Sequence, residues 1–116
     1  TNSLTGIRIL RISRARSHQG PRRSLVINPN NPTGAVYPKE ILEQIADIAR
    51  ENELIIFSDE IYDRLVMDGY KHTSIASLAP DVFCVTFSGL SKSHMIAGFR
   101  IGWMILSGAK SRRRVI

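Results

Sequence analysis

Short apolar runs divided by turn-forming residues fill the chain between residues 25 and 109. Leu25-Val26-Ile27-Asn28 is apolar and β-branched and stops at Asn-Pro, which predicts a buried strand ending in a turn. Asn28 to Gly34 reads N-P-N-N-P-T-G, and its prolines and closing glycine leave room only for a loop. Pro38 suits the first position of a helix, and Ile41, Leu42, Ile45, Ile48 and Ala49 then fall on one helical face. That stripe predicts a helix of about 14 residues whose polar face begins at Lys39 and Glu40. Glu53 to Ser58 and Val82 to Phe87 are nearly continuous apolar runs, as in strands covered on both faces. Ser74 to Leu78 predicts a short helix, and Phe99 to Leu106 a further strand.

Strand, helix, strand, helix, strand is an α/β order, and helix-length crossovers make the first three strands parallel. In such sheets ligands sit beyond the carboxyl ends of the strands. Asn31 follows the first strand, Asp59 ends the second and Lys92 follows the third. Three polar residues therefore converge on one rim.

Charge divides the chain differently. The 116 residues carry a net charge of +6, but residues 1–24 hold six arginines and no acid, and residues 110–116 add Lys110, Arg112, Arg113 and Arg114. The centre holds six basic side chains against all ten acids, a net charge of −4. The expected division is a basic flank over 1–24, a patterned domain over 25–109 and a basic tail over 110–116, both ends irregular. The flanks have three readings, in this order: a shifted reading frame or truncation, solvated tails, and nucleic-acid arms. Nucleic acid is not expected as a partner. The length suits one small domain, and no apolar run approaches the ~20 residues of a membrane span. Thr1 to Gly6 lack a basic stretch followed by an apolar one, so no secretion signal is expected. Cys84 is the sole cysteine and has no internal partner, which points to a reduced, cytoplasmic setting.

Lys92 lies in Ser88-Gly89-Leu90-Ser91-Lys92-Ser93, where small residues after a buried strand allow an amine to be partly desolvated and to attack an aldehyde. From spacing alone a surface lysine is the commoner case. Asp59 after an apolar strand suits a carboxylate held for a cation, or a helix cap. Asn31 in N-P-T-G satisfies ordinary turn chemistry, and Tyr62 suits a core aromatic. Arg100 sits in Gly98-Phe99-Arg100-Ile101-Gly102-Trp103, whose glycines permit a close approach by something bulky. His18, His72 and His94 read as loop or surface. No metal-ligand cluster, Walker loop or G-x-G-x-x-G is present, so no metal is expected.

Taken in order, N-P-N-N-P-T-G, S-D-E-I-Y-D, S-G-L-S-K and A-G-F-R-I-G-W closely resemble the class I/II aminotransferases of the pyridoxal-phosphate (PLP) fold-type I family. The resemblance covers residues 25–109. Val26 to Tyr37 and F-S-G-L-S-K are most similar to bacterial alanine or aspartate aminotransferase-like enzymes. It implies part of a large PLP-binding domain, a mostly parallel sheet with flanking helices. By resemblance Lys92 is the catalytic residue, tethering the cofactor and moving the proton once a substrate amine displaces it. Asp59 would pair with the pyridine nitrogen, Asn31 and Tyr62 with the phenolic oxygen, and Ile61 would pack on the ring. Arg100 would grip the 5′-phosphate, with a hydroxyl from Ser91. Many relatives carry a serine where Gly89 stands here, which leaves a backbone amide to take its place.

The resemblance also implies parts that are not recognisable in this chain: a glycine-rich phosphate loop, a stacked aromatic, an arginine for the substrate α-carboxylate, and a partner's phosphate contact in a homodimer. The expected activity is transfer of an amino group between an amino acid and a 2-oxo acid, weak or absent in this chain by itself. Three alternatives stay open: a lyase or synthase using the same Lys92 and Asp59, an inert remnant, and a nucleic-acid-binding regulator.

Overall fold

A computed structural model describes residues 23–108. His18 and most of both basic flanks lie outside the described residues. The first strand, β1 (Arg23–Ile27), begins two residues before the apolar run. Arg23 and Ser24 stand in register with Ile55 and Ile56 of the next strand, and backbone pairing does not require apolar side chains.

The helix α1 (Lys39–Glu51) is one residue shorter at its start than the stripe suggested. Pro38 caps it from an extended conformation, and its carbonyl accepts from the amides of Ile41 and Leu42. The buried line of α1 is Leu42, Ala46 and Ala49, with Ile45 half-buried, whereas Ile48 is 37% exposed. Two alanines on that line let the helix approach the sheet closely, and this turns Ile48 towards the edge. At its other end the Leu54 amide bonds to the Ala49 carbonyl at 2.8 Å, with Glu53 in the left-handed region at φ 52.

Strand β2 (Ile55–Asp59) lies beside β1 and β3 (Cys84–Gly89), parallel to both. The predicted parallel trio is therefore present. A short helix, α2 (Ile75–Leu78), lies on the connection between β2 and β3. After β3 come α3 (Leu90–Ser93) and a 3₁₀ turn at Ala97–Phe99. The last strand, β4 (Gly102–Ser107), pairs with β3 antiparallel, completing the order β1-β2-β3-β4. The link between them carries only α3 and the 3₁₀ turn.

Val26, Ile56 and Cys84 form the sheet side of the core, against Leu42, Ala46 and Ala49 of α1 and Ile75 of α2. On the opposite face Phe57 and Phe87 stack with centroids 6.2 Å apart. Trp103, Met104, Ile105 and Leu106 of β4 are each roughly half exposed, as is Leu25 of β1. Paired strand residues share a face, so β4 is apolar on both sides and covered on neither. An edge strand of this kind is normally blunted or paired.

Candidate functional site

The strand directions decide what meets at the rim. β1, β2 and β3 run in parallel, so the loops that follow them leave from the same end of the sheet. β4 runs the other way, so its beginning lies there too, with Gly102 in register with Gly89. Asn31, Asp59, Tyr62, Ser91, Lys92 and Arg100 all belong to these four segments.

Asp59 ends β2 between Ile27 and Phe87, and its Oδ1 accepts from the Ile61 amide at 3.2 Å. That bond curls the chain into a turn that presents Tyr62. The Lys92 Nζ lies 5.7 Å from the centre of the Tyr62 ring, within cation–π range. Carboxylate, phenol and amine thus gather about the one turn from residue 59 to residue 62. The side chain of Ile61 reaches across beside Gly89.

A Cβ on Gly89 would stand 2.8 Å from the Ile101 carbonyl oxygen and 3.3 Å from Ile61 Cδ1. The backbone at Gly89 is extended and open to any residue; the exclusion is one of space. A serine there would require β4 to move. The Leu90 amide instead donates to the Ile101 carbonyl at 3.2 Å, tying α3 to the start of β4.

Asn31 is exposed. Its loop is braced from within: Asn30 N donates to the Ala35 carbonyl, Gly34 N to the Asn30 carbonyl, and Thr33 Oγ1 to Asn30 Oδ1, each at 2.8 Å. The buried Asn28 accepts from the Tyr37 amide at 2.8 Å and donates its own amide to the Asp59 carbonyl at 3.0 Å. The peptide bonds before Pro29 and Pro32 are cis. Arg100 stands in the left-handed region at φ 55, and its guanidinium turns back on the Ala97 carbonyl at 3.2 Å. Ser91 is half-buried, and Lys92 is exposed rather than desolvated, because nothing among the described residues roofs the rim.

The model of the family described as aminotransferase class I and II matches residues 12–114. This chain belongs to that family. The match continues past the motif-bearing span of residues 25–109 into both basic flanks. Glutamate-pyruvate aminotransferase AlaA of Haemophilus influenzae is 63% identical over 86 residues, covering 74% of this chain and 21% of that protein. AlaA of Escherichia coli is 54% identical over 101 residues, 87% of this chain and 25% of that protein. The crystal structure of an aminotransferase from Escherichia coli superimposes with a TM-score of 0.77 and 57% identity, over 80% of this chain and 23% of that one. The chain therefore spans about a quarter of the length of these relatives. Class I and II aminotransferases depend on PLP in general.

The groups at the rim suit that cofactor by their chemistry. An amine beside a phenol matches an aldehyde next to a phenolic oxygen, and a carboxylate matches a pyridinium. A guanidinium and a hydroxyl match a phosphate. Among the described residues no group of histidine, cysteine and acid side chains is placed to hold a metal ion. No described helix is long and apolar enough to cross a membrane.

One polar cluster escaped the sequence reading. Glu60 is 5% exposed, and its carboxylate accepts from Ser58 Oγ at 2.9 Å, Ser74 Oγ at 2.8 Å and His72 Nε2 at 3.0 Å. His72, read as loop or surface, lies in a loop, but its ring is almost enclosed, with 13% of the side chain exposed. Burial pushes the Glu60 carboxyl up, but the hydrogen bonds from His72, Ser74 and Ser58 outweigh it and hold the group below the usual glutamate range. An acid two residues after Ser58 of a buried strand was visible as a core-facing carboxylate. Its partners 12 and 14 residues away were not. His94 is exposed, as read, and its ring Nδ1 lies 2.8 Å from Ser93 Oγ.

Proposed function

We propose that this chain is the cofactor-holding part of a PLP-dependent aminotransferase that moves an amino group between an amino acid and a 2-oxo acid. The names of the relatives favour glutamate as donor and pyruvate as acceptor. The observation that carries the reading is the Lys92 amine 5.7 Å from the Tyr62 ring, at the turn that Asp59 caps. In that reading Lys92 holds the cofactor and carries the proton, Asp59 balances the pyridinium, and Asn31 and Tyr62 meet the phenolic oxygen. Arg100 and Ser91 take the phosphate. Bound PLP supplies an electron sink for charge developed at the substrate Cα.

Each side chain has a task of its own. Tyr62 orients the Lys92 amine, Asp59 both shapes the 59–62 turn and offers its second oxygen to a cation, and the Asn28 bonds hold the Asn31 loop to β2. Arg100 must leave the Ala97 carbonyl to reach an anion. The exposed faces of β4 and β1 are where further chain would complete the sheet and roof the rim. The proposal extends to a homodimeric, cytoplasmic parent and to flanks that bind no nucleic acid. By itself the 116-residue chain is expected to capture PLP weakly and to turn over little.

The test is reductive trapping. The chain is mixed with substoichiometric PLP, reduced with borohydride, digested and mapped by mass spectrometry. Lys92 is expected to be labelled ahead of Lys39, Lys71 and Lys110, with Lys92→Ala losing the near-visible absorbance that wild type gains on mixing. Equal labelling of all four lysines, or identical spectra for the two proteins, overturns the proposal.

A further inference from the structure

Glu60 follows Asp59 directly, yet the two acids have opposite surroundings. Successive strand residues face opposite sides of a sheet, so Asp59 lies on the Phe57 and Phe87 face and Glu60 on the helix-covered face with Ser58. The Glu60 backbone is bound as well. Its amide donates to the Phe87 carbonyl at 2.9 Å, and its carbonyl accepts from the Asp63 amide at 3.0 Å and from Ser88 Oγ at 3.5 Å. From there the chain runs out through Tyr62 and the exposed Met67 and Tyr70, and returns at His72 and Ser74 to the same carboxylate.

We propose that Glu60, with His72 and Ser74, is a latch that closes the loop from residue 61 to residue 73 and positions Tyr62 over Lys92. The assignment of Tyr62 and Lys92 to a cofactor rests on the function proposed above; the latch itself rests on the bonds just described. Much of this loop faces solvent. Arg64, Leu65, Met67, Asp68, Gly69, Tyr70 and Lys71 are exposed, and Asp68 and Gly69 both adopt positive φ. A carboxylate can only accept, so the bond to Glu60 requires that His72 carry a proton on Nε2. Ser74 stands at the entrance to α2, so the latch also joins the end of β2 to the helix that leads into β3. Its three anchors stand just after β2, in the returning loop and at the α2 entrance. Tyr62 therefore stands two residues from a fixed point on a loop fixed at both ends. Glu60, His72 and Ser74 act through Tyr62, and the hydrogen bonds of their side chains at Glu60 run among themselves and Ser58; they are positioning residues.

Arg64 and Lys71 are exposed and lie inside the latched loop, which makes trypsin a direct probe, with Lys39 and Arg50 on α1 as references. The 116-residue chain is compared with His72→Leu, which removes the donor, and His72→Gln, which restores an amide donor near the Nε2 position. Circular dichroism first establishes that each is folded. His72→Leu is expected to be cut at Arg64 and Lys71 roughly tenfold faster, as for loss of a hydrogen bond to a buried charge, with cutting at Lys39 and Arg50 unchanged. His72→Gln is expected to restore most of the protection. In parallel, acetic anhydride labelling reads the ratio of Lys92 to Lys39. The ratio is expected to rise in His72→Leu, where the Tyr62 ring no longer stands against one side of the amine, and to fall back in His72→Gln. Should His72→Leu fail to fold, Ser74→Ala removes a single bond from the loop side and takes its place, with acceleration expected at the same two sites. Unchanged cutting in the folded variant overturns the latch, and faster cutting with an unchanged Lys92 ratio overturns its positioning role. Neither readout uses PLP, so a failure to trap PLP at Lys92 would remove the proposed function and leave this result standing.

Discussion

Truncating Leu42 to alanine tests whether the rim is held from behind by α1. Leu42 is fully enclosed and packs with Val26, Ile56, Ala46 and Cys84 in the core between α1 and the sheet. The other buried residues of the helix, Ala46 and Ala49, have no spare bulk with which to fill the space left behind. Removing a leucine side chain from such a site costs about 2–5 kcal/mol, the transfer energy of the lost carbons plus the cavity. A domain of this size holds on the order of 4–13 kcal/mol in all. The uncovered apolar faces of β4 and β1 argue for the low end of that range, so Leu42→Ala should leave much of the chain unfolded at room temperature. Urea unfolding followed through Trp103, the sole tryptophan, reads this directly from β4. With a urea slope of about 1 kcal/mol per molar, the midpoint should fall by about 2 M or more. PLP trapping at Lys92 should lose its selectivity in the same variant, although Leu42 is on the far side of the sheet from the Phe57–Phe87 face. A midpoint shift under about 0.5 M would refute the reasoning, since it would mean that α1 does not carry the core.

Gly89→Ala should cost about 1–3 kcal/mol, because its Cβ meets the Ile101 carbonyl, and should lower Lys92 labelling by shifting β4 and Ile61; thermal melts and peptide mapping check both. The Glu60 carboxyl is depressed on folding, so its contribution is complete above the usual value of 4.5 and is lost as pH falls through the lower folded value. Glu60→Gln should therefore flatten the loss of stability below about pH 4.5 in acid titrations followed by circular dichroism, and an equally steep loss would contradict the assignment. Burial, and then the charges of Glu60 and Asp81, push the Cys84 thiol up to about 11, so a disulfide reagent at neutral pH should react only as fast as the chain unfolds. Arg50 bonds Asp47 and Asp81 at the surface, and Arg50→Gln should lower the melting temperature at low salt by an amount that shrinks as salt is added.

What the sequence determined by itself was local or followed from local features. An apolar stripe of helical spacing, proline and glycine at turns, and apolar runs of strand length set the type of every major element. Parallel connection then placed Asn31, Asp59 and Lys92 at one rim, since the ends of parallel strands are also the starts of their loops. The four ordered motifs identified the family, because short spacings survive in sequence without reference to the fold.

The tertiary structure decided whatever depends on register between distant segments. It turned β4 antiparallel, which is why Arg100, preceding a strand, reaches a rim otherwise built from strand ends. It put the small residues Ala46 and Ala49 against the sheet and left Ile48 at the edge, a choice of helix rotation that an apolar stripe leaves open. It also brought His72 and Ser74 back to Glu60 and Lys92 over to Tyr62. A loop of a dozen residues can close in many ways, and only a buried charge in need of donors, at a fixed strand end, selects one of them.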